Sequence, residues 1–156
     1  MRLRCLALLF ALAFAAVAQK YAGPMPPKPD LPYLKHAETL VATEAAEAKE
    51  EKGKKEEVTY VVAGPASSAR TPLASPVFLL LTEKVTAASL ALYRLESKNG
   101  RREILFAPKK PPKAIRMEAT RIGDKLYRLE VEESLEPGEY SISPEGSNQV
   151  FCFQVY

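Results

Sequence analysis

The sequence predicts an all-β chain: a two-sheet sandwich of the immunoglobulin-like, Greek-key kind. Three observations predict it. Short apolar–polar alternations recur, separated by turn residues at intervals of about 8–12 positions, the rhythm of short strands joined by tight loops. Asn99-Gly100 sits between two such alternations and supplies the two positive φ angles of a two-residue hairpin turn. Leu135-Glu136-Pro137-Gly138-Glu139-Tyr140 reads as a sandwich corner: an apolar anchor, a Pro-Gly turn, and a tyrosine entering a strand. At such a corner the tyrosine hydroxyl is expected to bond to backbone just upstream.

The chain opens on a targeting pattern. Arg2 and Arg4 precede an apolar run from Leu6 to Ala16, and Ala16-Val17-Ala18 offers small residues at a cleavage site. Residues 1–18 are therefore expected to be a signal peptide, and the protein to be exported: periplasmic, cell-surface or secreted. The run is shorter than the roughly 20 apolar residues of a membrane span, and none is expected after cleavage. Loss of residues 1–18 lowers the formal net charge from +3 to +1. That balance gives no field to steer a polyanion, so nucleic acid is not an expected partner.

Residues 19–37 read as a Pro-rich linker. Pro24, Pro26, Pro27, Pro29 and Pro32 favour polyproline II over helix or sheet, and Pro24 and Pro27 have a PxxP spacing. The β-domain is then expected over 38–156. Its first part is ambiguous, because Thr43 to Glu57 is rich in the helix formers Ala, Glu and Lys. A helix there has no large apolar residue between Val41 and Val58 to bury. The favoured reading is a hairpin turning at Lys52-Gly53, with Glu51–Lys54, Glu50–Lys55 and Lys49–Glu56 as cross-strand pairs. It leads into the β-branched run Val58 to Val62.

Val77 to Leu81 is an unbroken apolar run after Pro76, the pattern of a strand buried on both faces. The Asn99-Gly100 turn sets Leu95 opposite Ile104 and Tyr93 opposite Phe106 on one face, with Arg94 and Glu96 on the other. Prolines in Ala107 to Lys113 interrupt the sheet. For the next pair of strands, a two-residue turn at Gly123-Asp124 would set Met117 opposite Glu130 and mix the faces. A three-residue loop with a bulge sets Met117 opposite Val131 and Ala119 opposite Leu129, and is expected.

After the corner, Tyr140 to Ser143 and Val150 to Val155 read as the last two strands, joined by Pro144 to Gln149. Phe151, Phe153 and Val155 are expected in the core. Val150, Cys152, Gln154 and Tyr156 fall on the opposite face, leaving Cys152 less buried than its neighbours. The PGEY…SNQVFCF pattern between Leu135 and Phe153 resembles the ends of small, uncharacterised exported bacterial proteins. The resemblance implies a β-rich secreted domain and carries no known activity.

Chemistry-bearing residues are sparse. His36 is the only histidine, so neither a zinc or copper constellation nor a Ser-His-Asp arrangement is expected, and no cofactor is. Glu132, Glu133 and Glu136 cluster at a strand end, where solvated acids are ordinary. Lys98, Arg101 and Arg102 flank one turn. Lys109, Lys110 and Lys113 occupy the Pro-rich loop and are the candidate contacts for an anionic ligand, against the plainer role of keeping a loop soluble. Cys152 is the one cysteine after cleavage; it reads as a small apolar strand residue or as the site of an intermolecular disulfide.

These features point to an exported, non-catalytic module that binds a protein or another envelope component. The alternative is a self-associating structural protein, a homo-oligomer built through its terminal strand or through Cys152.

Overall fold

The computed structural model describes residues 20–156; the expected signal peptide at 1–18 lies outside the described residues. Thirteen strands follow in chain order: β1 (Tyr33–His36), β2 (Thr39–Ala42), β3 (Glu44–Glu47), β4 (Lys49–Lys52), β5 (Val58–Ala63), β6 (Arg70–Thr71), β7 (Val77–Leu81), β8 (Leu90–Lys98), β9 (Arg101–Phe106), β10 (Met117–Gly123), β11 (Leu126–Val131), β12 (Gly138–Pro144) and β13 (Gln149–Val155). Among the described residues the one helical element is a 3-10 turn at Ala87–Ser89. The shortest of these strands carry no alternation long enough to read in the sequence.

Two sheets form. Five strands lie in the order β10-β11-β7-β1-β2, and the eight-stranded sheet runs β3-β13-β12-β8-β9-β5-β4, with β6 added in parallel beside β13. The sheets face each other across the main core. Leu34, Phe78, Leu80 and Leu129 come from the first; Leu92, Tyr140, Ile142, Phe151 and Phe153 come from the second. Phe78 meets Phe153 edge-on at 5.0 Å between ring centroids, the favoured geometry for such rings. As its apolar run predicts, β7 is the middle strand of five, with Phe78, Leu79 and Leu80 fully buried.

The larger sheet is curled into a half-barrel. Its two end strands, β3 and β4, are consecutive in sequence and separated by Ala48 alone. The segment pairs with β13 in its first half and β5 in its second, so the chain itself bridges the two ends of the sheet. The curl creates a second, smaller core of Ala48, Val62, Leu95, Val150 and Cys152 on the sheet's inner face.

Several expectations are met at the level of register. Asn99 and Gly100 have φ of 52° and 73°, and Lys98 pairs with Arg101, Ser97 with Arg102 and Glu96 with Glu103. Met117 pairs with Val131 and Ala119 with Leu129; the bulge falls between Arg121 and Gly123. The Tyr140 hydroxyl donates to the carbonyl of Glu136 at 2.7 Å and closes the corner.

Four expectations are corrected. The charged hairpin turns through a longer loop, Gly53 to Glu57, with Lys55 and Glu56 at positive φ. Its register sets Lys49 opposite Val61 and Glu50 opposite Tyr60. Exposed charge pairs contribute little, and this register buries Val62 in the second core instead. The segment 19–37 is not a free tether along its whole length. Tyr33 and Leu34 are buried in β1, and Asp30 is bonded to β7 through its own N–H and the Leu81 carbonyl at 2.7 Å. Cys152, expected to be less buried than its neighbours, is fully buried, because the half-barrel covers that second face. Finally, β13 is no edge: β12 and β3 flank it, so self-association through the terminal strand would first have to displace β3.

Candidate functional site

Residues two apart on a strand share a face, and the inner face of β9 reads Arg102, Ile104, Phe106. These three mark successive zones of the half-barrel: a polar plug, the second core, and an open aromatic groove.

Arg102 is 1% exposed. Its guanidinium donates to the Gly64 carbonyl at 3.0 Å, to the Ser67 hydroxyl at 2.8 Å, to Glu44 at 2.7 Å and to the Ala63 carbonyl. Glu139, also buried, accepts from the Ser67 N–H and hydroxyl and lies 4.0 Å from the same guanidinium. The planar fork of arginine suits this many acceptors, and a buried charge is tolerable only when so satisfied. Burial pushes the Glu44 carboxyl up, but the Arg102 bond and the Ser68 N–H outweigh it and hold it below the usual range. This arrangement is a structural closure of one end.

The other end is open. A cavity of about 600 Å³ lies above the second core. Val62, Leu95 and Val150 form its floor; Tyr60, Tyr93 and Phe106 form an aromatic wall. Phe106 meets Tyr60 at 5.3 Å and Tyr93 at 5.4 Å, both edge-on, so each ring fixes the next. The rim is polar, with Ser143 from β12, Glu145, Ser147 and Asn148 from the β12–β13 loop, and Glu50 from β4. A concave cavity that sets aromatic and aliphatic walls beside placed polar groups is a usual form of small-molecule site.

The residues singled out in the sequence fall elsewhere. Lys109, Lys110 and Lys113 are exposed in the loop after β9 and do not line the groove. The basic turn divides: Lys98 is exposed, Arg101 pairs with Glu51 and Glu103 at 2.8 Å, and Arg102 is inside. Glu136 pairs with Arg94 at 3.2 Å and Glu132 with Arg116 at 3.0 Å, in solvent. His36 is held in β1, its Nε2 2.9 Å from the Thr71 hydroxyl. Burial, with Glu44 and Glu139 nearby, outweighs Arg102 and pushes the Cys152 thiol up to about 12. The thiol is free and buried, an environment in which thiols react more slowly than exposed ones.

The groove is not legible in the sequence, although the Asn99-Gly100 turn sets Tyr93 opposite Phe106. Sequence alternation places these rings on one face; only the curl of the sheet leaves that face open. The inward place of Arg102, which the reading as a basic turn overlooks, has a signal in the sequence: it lies two residues before inward Ile104.

Comparison with known protein families, curated proteins and solved structures gives no match to this chain. Among the described residues, no helix is long and apolar enough to cross a membrane.

Proposed function

We propose that the protein is an exported, non-catalytic binding module of the cell envelope or its surroundings, and that the open end of the half-barrel is its binding site. The observation that carries this reading is the aromatic-walled cavity of about 600 Å³ above the second core. Apolar surface left in contact with water inside a concave site favours a ligand that covers it. The corner tyrosine and the two facing sheets support the immunoglobulin-like relationship, with the curled second sheet as this chain's own variation. Export rests on the N-terminal pattern of Arg2, Arg4 and the apolar run that follows.

The test is fluorescence titration with N-phenyl-1-naphthylamine, a neutral apolar dye. Saturable enhancement with the wild-type chain is expected, weakened about tenfold in Tyr60→Ala and in Phe106→Leu, the loss of one well-packed ring contact. Equal enhancement in all three proteins, or none in any, would sink the reading.

A further inference from the structure

We propose that the ligand of the groove carries a positively charged nitrogen on an apolar body: an amphiphilic or aromatic amine, or a quaternary ammonium compound. The proposal rests on the binding-module reading and adds the charge of the ligand to it. Two observations carry it. The ionisable side chains lining the cavity, apart from tyrosines, are Glu50 and Glu145, with no lysine or arginine among them. Neither carboxylate has an ion-pair partner among the described residues.

Glu50 sits opposite Tyr60 across the β4–β5 ladder, which sets a carboxylate beside the aromatic wall. Tyr60 and Phe106, both lining the cavity, stand nearly perpendicular, at 85°. The face of an aromatic ring is electronegative and attracts a cation, more strongly where water is excluded. An apolar body filling the groove would also strip water from both carboxylates. A cationic head offsets that cost, a neutral head leaves it, and an anionic head adds repulsion.

Three amphiphiles with the same ten-carbon tail isolate the head charge: decyltrimethylammonium, decyl maltoside and decyl sulfate. Each is titrated calorimetrically below its micellar concentration, with circular dichroism confirming that the chain stays folded. Decyltrimethylammonium is expected to bind at least about tenfold more tightly than the other two. The double variant Glu50→Gln/Glu145→Gln, both exposed positions, is expected to erase that preference while still binding decyl maltoside. Tyr60→Ala and Phe106→Leu should weaken all three.

Equal affinities in the wild-type chain would overturn the charge assignment and leave the groove as a binding site. So would preference for decyl sulfate abolished by Lys109→Gln/Lys110→Gln, which would move recognition to the lysine loop. No binding of any of the three, with the aromatic variants indistinguishable from wild type, would remove the binding-module reading and this inference together.

Discussion

Arg102 decides whether the closed end of the half-barrel stays closed. It satisfies Glu44 and the Ala63 and Gly64 carbonyls, and it sits 4.0 Å from Glu139. Removing one partner of a buried pair strands the other charge, so Arg102→Met is expected to cost about 3–5 kcal/mol in urea unfolding. Combining it with Glu139→Gln should recover part of that loss, because the uncompensated carboxylate goes too; a purely additive double variant would argue against coupling. Cys152 gives a second test at this scale. With its thiol pushed up to about 12 and fully buried, native protein should react with a maleimide at least about a hundredfold more slowly than urea-unfolded protein. Fast native labelling would mean that the second core opens readily. At the corner, Tyr140→Phe keeps the ring stacked 5.5 Å from Phe153 and removes only the 2.7 Å bond to Glu136. About 1 kcal/mol of stability should go with it, measured by thermal or urea unfolding.

At the scale of elements, legibility followed how local the cause was. The Asn99-Gly100 turn and the β10–β11 loop were readable because apolar alternation on both sides leaves one register that keeps the faces apart. The β4–β5 hairpin departs from its charge-pair register because Tyr60 and Val62 set it, and their destination, the second core, exists only once distant strands curl together. The segment before β1 shows the same limit: its prolines do argue against helix, but nothing local announces Asp30. That residue sits at φ 57°, and its carboxylate accepts N–H bonds from Glu83, Lys84 and Val85 at 2.9 Å. It thereby straps the N-terminal segment to the loop after β7. Asp30→Ala loses these bonds and places a less tolerant residue at positive φ, for an expected cost of about 2 kcal/mol. Asp30→Asn should cost less, since it tolerates that backbone and keeps one acceptor oxygen. Amide hydrogen exchange at Glu83 to Val85 reads the strap directly, and unchanged protection there in Asp30→Ala would show that the loop holds itself.

For the whole molecule, the main core and the second core are built on opposite faces of the same strands, β8 and β13, so unfolding of one should expose the other. Two carboxyls join distant parts of this assembly, Asp30 across the five-stranded sheet's end and Glu44 at the plug. Burial raises each, and hydrogen bonds outweigh it: backbone N–H groups at Asp30, Arg102 and the Ser68 N–H at Glu44. Both are held below their ordinary values of 3.8 and 4.5. A carboxyl depressed in the folded state contributes stability that is present above its unfolded value and lost as pH falls through the folded one. Stability should therefore be flat in these two groups above about pH 5 and decline as the pH drops below about 4. In Glu44→Gln the decline should be shallower, because one of the protons taken up on acid unfolding has been removed; Asp30→Asn should flatten it further. Urea midpoints measured from pH 7 down to pH 3 for the wild type and both variants test this. Parallel curves for all three would mean that the acid response comes from other carboxylates, and that the strap and the plug do not stabilise the fold through charge.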